Sequence, residues 1–142
     1  MKIKASALAA KLFKARVDVV FPTEELNKDC ETVYATTRFI GHFRAVPFND
    51  AQADMDKLKE LRDKSDHVGM IAMEANRLEQ SFVGFEPLPG KEFPVTDDND
   101  QPLTNTPENI KVLLNSREVR DAVRKTFDKA RSSDVLEKNL QP

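Results

Sequence analysis

Thr32-Val-Tyr-Ala-Thr-Thr-Arg-Phe-Ile-Gly-His-Phe-Arg-Ala-Val46 is the stretch on which the fold turns. It is rich in β-branched and aromatic residues, which suit a pleated, half-buried surface. At period two, Val33, Ala35, Thr37, Phe39, Gly41 and Phe43 share one face. Tyr34, Thr36, Arg38, His42 and Arg44 share the other, with Ile40 among them. Upstream, Arg16–Phe21 alternates in the same way, with Val17, Val19 and Phe21 pointing one way and Arg16, Asp18 and Val20 the other. Pro22 is expected to end that strand, because proline has no N–H to donate to a ladder. The polar run Pro22-Thr-Glu-Glu-Leu-Asn-Lys-Asp-Cys30 then reads as a loop of about nine residues joining two strands of an antiparallel hairpin.

Helical spacing takes over after Pro47. Ala51, Met55, Leu58 and Leu61 recur at intervals of three and four, with Asn49 or Asp50 as N-cap, which predicts a helix over about 49–64. Ser65 or Asp66 can cap a second helix over about 66–79, its buried stripe expected from Val68, Ile71, Ala72, Ala75 and Leu78. Gly69 near its start costs about 1 kcal/mol against alanine, too little to break it. Thr106-Pro107-Glu108-Asn109 opens a third helix over about 107–115, with threonine at the N-cap, proline in the first turn and an acid beside the helix dipole. Ser116 starts a fourth over about 117–131, with Val119, Ala122, Val123, Phe127 and Ala130 inward.

Between the second and third helices, residues 81–105 mix Phe82, Val83, Phe85, Leu88, Phe93 and Val95 with Gly84, Pro87, Pro89 and Gly90. This is expected to be an irregular or short-strand segment that packs aromatics, followed by an acidic turn, Asp97-Asp-Asn-Asp-Gln-Pro102. Residues 1–16 carry five cations and no acid. Leu8 and Leu12 share a helical face with Ala5 and Ala15, so this is either a short amphipathic turn folded back on the domain or a basic arm. Residues 132–142 are polar and read as a flexible tail. The expectation is one α+β domain over 1–131: an antiparallel β-hairpin or small sheet packed with about four α-helices.

Composition narrows the function. The chain has 142 residues, of which 37 are Val, Leu, Ile or Phe, enough apolar matter for a core without a disulfide or metal staple. Its 22 Lys and Arg against 24 Asp and Glu leave a net charge of −2, which argues against a nucleic-acid binder that works by neutralising phosphates. Cys30 is the only cysteine, so no internal disulfide can form. No apolar run approaches the 18 residues or so of a membrane span. Lys11 breaks the Ala5–Phe13 run that a signal peptide would need. The composition points to a soluble intracellular domain.

Catalytic chemistry finds few candidates. Acid–base or nucleophilic catalysis needs a titrating group beside a nucleophile, and the chain offers His42 on the polar face of the long strand, His67 at a helix start and Cys30 in a loop. These three give no zinc spacing. Counted from Asp97, Asn99, Asn105 and Glu108 fall at calcium-loop positions 3, 9 and 12, but Pro102 occupies position 6, where the loop turns on glycine. Gly84-Phe-Glu-Pro-Leu-Pro-Gly90-Lys91-Glu92 departs from a phosphate loop: it has one residue too many, two prolines that remove amides, and Glu92 where Ser or Thr would hold magnesium. Arg38, His42, Arg44 and Tyr34 are the nearest approach to a nucleic-acid stripe, diluted by Thr36 and Ile40. No catalytic residue, metal ligand or cofactor is expected.

The order of these pieces carries a resemblance. A Val-Pro strand (Val17–Pro22) leads to a long strand ending Phe39-Ile-Gly-His-Phe43-Arg44, then to a charged helix pair and a Val-Gly-aromatic step at Val83-Gly84-Phe85. An Asp-rich turn, Thr106-Pro107-Glu108-Asn109, Leu113-Leu114 and a last helix follow. Over roughly residues 16–131 this resembles the tail assembly chaperones of long-tailed bacteriophages. That family commonly has Trp after the glycine, where this chain has Phe85 and no Trp at all.

The resemblance implies a non-catalytic protein of the host bacterial cytoplasm, absent from the mature virion. It would bind the phage tape-measure protein, keep it soluble and promote polymerisation of the tail-tube protein around it, with no nucleic acid or membrane as partner. Oligomers fit a chaperone that coats a long client, although no heptad repeat supports one. Many members of that family also exist in a longer form made by a −1 ribosomal slip. Glu137-Lys138-Asn139 can be encoded GAA-AAA-AAC, which contains the slippery heptamer A-AAA-AAC. The candidate partner-binding residues are Phe82, Phe85, Leu88 and Phe93, whose alternative role is to cap the core. The alternatives to a chaperone are a structural minor tail protein and a small adaptor domain unrelated to phage.

Overall fold

A computed structural model of the chain describes residues 12–45 and 48–130, together with residues 2, 4 and 5. The amphipathic turn expected around Leu8 and the polar tail expected over 132–142 lie outside the described residues, as does the Glu137-Lys138-Asn139 site. The first strand, β1 (Leu12–Leu26), pairs antiparallel with β2 (Thr32–Arg44), Val17 standing opposite Phe39 and Phe13 opposite Phe43. A third strand, β3 (Phe82–Glu86), pairs antiparallel on the far side of β2, with Ile40 opposite Glu86, so the order is β1-β2-β3. Four helices complete the α+β fold: α1 (Phe48–Asp63), α2 (His67–Ser81), α3 (Pro107–Leu114) and α4 (Arg117–Ala130).

The alternation of β1 and β2 sets the inner face. Val17, Val19, Phe39 and Phe43 are buried and their neighbours along each strand are exposed or half-exposed. Hydrophobic burial at about 25 cal/mol per Å² drives this sorting. α4 packs along β1 and α3 against β3, bringing Val119, Val123, Ile110, Leu113 and Leu114 into one core. Phenylalanines fill its middle: Phe85 and Phe93 lie 4.5 Å apart by ring centroid, Phe13 stacks on Phe43 at 5.4 Å, and Phe127 closes on both at 5.9 Å. Gly41 leaves room for this packing, since a Cβ there would come within 2.8 Å of the Phe43 ring.

β1 is longer than expected at both ends. It begins at Leu12, with Phe13 and Ala15 taking inward positions that helical spacing had assigned to a turn. It continues through Pro22, which stands opposite Tyr34. β1 is an edge strand, and a proline there can turn its missing donor away from the partner. The register shift falls between Pro22 and Leu26. The loop shrinks accordingly to residues 27–31. Asn27 Oδ1 accepts from the N–H groups of Asp29 and Glu31 at 2.9 and 3.0 Å, and Cys30 takes the left-handed conformation at φ 61°.

The acidic turn repeats this construction. Asp97 Oδ1 accepts from the amides of Asn99 and Gln101 at 2.8 and 3.0 Å, and Asp100 sits at φ 60°. Thr96 and Pro102 bridge across it, so the segment is a small hairpin that delivers Phe93, Val95 and Leu103 to the core. Thr106 caps α3 through its Oγ1, which accepts from Asn109 N–H at 3.2 Å.

One expectation about the helices is corrected. The stripe Val68, Ile71, Ala72, Ala75, Leu78 was to be buried, yet only Leu78 is, while Val68 and Ile71 are 79% and 68% exposed. The inner face of the sheet is already covered by α3, α4 and the 93–103 segment. The α1–α2 hairpin therefore has room to dock only through the C-terminal end of α2, where Leu78, Ser81 and Phe82 are buried. α1 packs chiefly on α2, and Met55, expected inward, is 65% exposed. Asn49 and Asp50 lie inside the first turn of α1 rather than at its cap.

Candidate docking surface

The site begins at the turn between α1 and α2. The amide of Asp66 donates to the carbonyl of Leu61 and that of Ser65 to Arg62, at 2.9 and 3.0 Å, while Ser65 adopts φ 54°. This is a Schellman closure with serine in the left-handed position that glycine usually fills. Asp66 then caps α2 by accepting from Gly69 N–H at 2.9 Å. A Cβ on Gly69 would fall 2.6 Å from the Asp66 carboxylate and 3.0 Å from Leu61. The bare backbone of Gly69 thus lets the two helices close on each other at the tip.

At the other end, Arg124 reaches Glu74 at 2.7 Å and ties α2 to α4, and Arg77 lies 3.9 Å from Asp54 of α1. Between these ends runs a groove of about 420 Å³ lined by Leu58, His67, Met70, Ile71, Met73, Glu74 and Arg77. Two methionines in that lining give a soft, adaptable apolar wall, a composition that suits surfaces able to take varied partners. A second groove, of about 460 Å³, lies where α2 meets α3 and has Ala75, Leu78 and Val112 in its lining, Val112 being 58% exposed, beside Glu79, Lys111 and Arg120. Val68, Ile71, Ala75 and Leu78 stand three, four and three residues apart. These four residues therefore share one face of α2, on which Val68, Ile71 and Ala75 are exposed and Leu78 is buried, and an exposed apolar helix face is a surface that can receive an amphipathic helix.

The expected partner-binding residues sit elsewhere. Phe82, Phe85 and Phe93 are 0%, 2% and 5% exposed and contact Phe39 or one another, so their rings belong to the core, and Leu88 is half-buried. The sequence signal for the α2 face was present in its spacing. Periodicity shows that a helix has an apolar side but not whether anything covers that side.

The titratable candidates are also placed. His42 Nε2 lies 3.5 Å from Glu86 Oε2, and Lys14 Nζ donates to Glu86 Oε1 at 3.1 Å, a cross-strand cluster on the outer face of the sheet. Hydrogen bonding to Lys14 is the chief cause that holds the Glu86 carboxyl below its ordinary value, with the charges of Lys14 and His42 adding to it against some desolvation. The cavity of about 330 Å³ beside His42 is lined by Phe85, Glu86, Pro87, Phe93, Leu103 and Asn105. Cys30 is exposed in its loop and His67 opens α2.

Among the described residues, no three His, Cys, Asp or Glu side chains converge as metal ligands, and no helix is long and apolar enough to cross a membrane. Compared with protein-family models, with curated proteins and with solved structures, the chain finds no match.

Proposed function

We propose that this chain is a non-catalytic assembly chaperone of a long-tailed bacteriophage. In that role it binds the tape-measure protein in the host cytoplasm, keeps it soluble and hands it over to polymerising tail-tube subunits. The observation that carries this reading is the uncovered apolar face of α2, with Val68 and Ile71 exposed beside a methionine-lined groove on a hairpin that stands out from the core. The order of sequence pieces over 16–131 supports it from the other side.

A long helical client has an apolar stripe that would otherwise aggregate. Burying Val68, Ile71 and Met55 against it supplies about 1.5–3 kcal/mol per fully covered side chain, less the cost of association. That balance favours moderate affinity, which displacement by tube subunits can reverse without ATP.

The test is a pull-down of the tagged chain from cells expressing its native genomic segment. The reading expects a very long helical protein encoded beside it to co-purify with the native chain and to be lost with Val68→Glu/Ile71→Glu. The coding sequence at residues 137–139 shows whether a slippery heptamer is present, and a C-terminally extended form in the same pull-down would show that it is used. Recovery of the chain in purified virions would instead favour a structural tail component.

A further inference from the structure

Among the described residues the sheet leaves three stretches of strand edge with no strand beside them, and two of these are guarded. Open edges invite pairing with another chain, and proteins blunt them with charge, proline or a covering group. β1 carries Lys14, Arg16, Asp18, Pro22, Glu24 and Glu25 along its length. On β3, Asn105 Oδ1 accepts from the N–H of Phe85 at 3.2 Å. The third stretch belongs to β2. β3 stops opposite Ile40, so residues 32–38 of β2 have β1 on one side and no strand on the other among the described residues. Thr32-Val-Tyr-Ala-Thr-Thr37 contains no charge, no proline and no glycine, and four of the six residues are β-branched, a composition that pairs readily. No residue between 20 and 38 is buried and Tyr34 is 64% exposed, so this distal part of the hairpin stands clear of the core.

The two ends of the stretch differ in charge. Glu24, Glu25, Asp29 and Glu31 lie around the turn with Lys28, and none of these carboxylates makes an ion pair among the described residues. At the other end Arg16 and Arg38 share the carboxylate of Asp18, at 3.1 and 3.5 Å. Antiparallel pairing of the stretch with itself therefore brings the acidic end of each copy beside the arginine end of the other. A two-fold axis at Ala35 uses all of residues 32–38. It sets Tyr34 opposite Thr36 of the second copy, Val33 opposite Thr37 and Thr32 opposite Arg38, so no like charges meet. We infer that the distal edge of β2 takes the same edge of a second copy, joining two three-stranded sheets into one. Main-chain bonds and the aromatic–threonine pairs supply the affinity. So short a ribbon falls below the roughly 800 Å² per partner of a standard interface, which sets the expected Kd at about 10–100 µM. This surface is separate from the α2 face and does not depend on the chaperone reading.

The experiment follows the full chain by sedimentation equilibrium from about 5 µM to about 1 mM, a range that brackets this Kd. The expected result is a monomer–dimer equilibrium in which hydrogen exchange slows at alternate amides within 32–38 as concentration rises. Tyr34→Lys/Thr36→Lys sets lysines face to face across the two-fold axis and is expected to weaken the dimer at least about tenfold. Crosslinking keeps the test valid should those lysines disturb β2. In a Cys30→Ala background, Ala35→Cys is expected to give a disulfide-linked dimer on mild oxidation, because opposite Cβ atoms of paired strands lie about 4.5–5.5 Å apart. Val20→Cys, exposed on β1, is expected to give none. The inference is overturned by a chain that stays monomeric at about 1 mM, by a dimer that survives the lysine pair, or by crosslinking at position 20 as fast as at position 35.

Discussion

Gly41 and Ser65 are two single positions at which local geometry opposes ordinary residue choice. Gly41 lies on the buried face of β2, where a methyl would press on the Phe43 ring and on Val17, 3.1 Å away. Gly41→Ala is therefore expected to destabilise the protein by about 1–3 kcal/mol, the usual effect of overpacking a filled core, as read from urea unfolding midpoints. Ser65 presents the opposite case, since its φ of 54° is one that a side chain resists and glycine does not. Ser65→Gly should raise stability by about 0.5–1 kcal/mol in the same assay, with no change in contacts. Lys14 and Glu86 give a pH-dependent pair. The Glu86 carboxyl titrates below its ordinary 4.5, so its contribution is present above that value and is lost as pH falls through the depressed one. Lys14→Gln should move the Glu86 titration upward, seen by carboxyl NMR, and so bring the loss of this contribution to a higher pH.

At the scale of elements, the α1–α2 hairpin and the sheet answer to different forces. α1 leans on α2, and α2 joins the core only through its last turn, so most of the hairpin's apolar surface contributes little to folding. Val68→Glu/Ile71→Glu should leave the unfolding midpoint within about 0.5 kcal/mol of the native chain, as exposed substitutions do. The same pair should abolish binding of a hydrophobic dye to the folded protein. Leu78→Ala, on the same helix face but 7% exposed, should cost about 2–5 kcal/mol. The caps of α2, α3 and α4 were legible from residue types alone, because Asp66, Thr106 and Ser116 each act on an amide three residues away. The extent of β1 was not. Whether a proline ends a strand depends on whether its missing donor would have faced a partner, and that is decided by strand order.

Across the whole molecule, stability is expected to be graded. The three strands with α3 and α4 share one aromatic core, whereas the outer turns of α1 and α2 have few buried contacts. Native-state hydrogen exchange should show the hairpin opening at much lower free energy than β2, with the amides opposite Phe39 and Phe43 exchanging last. The residues Phe82, Phe85 and Phe93 illustrate how far sequence reaches. Their density announced a packed aromatic segment, but only the pairing of β3 with β2 turns those rings into the interior and leaves the apolar face of α2 as the open one. By itself the sequence determined the α+β class, the alternation of β1 and β2, the helix spans to within two residues and the caps of α2, α3 and α4, because each follows from interactions between near neighbours in the chain. The third strand, the length of the β1 edge, and which apolar faces are covered were decided by tertiary structure. Coverage depends on distant segments competing for the same face of the sheet, and α3, α4 and the 93–103 segment fill it before α1 and α2 can reach it.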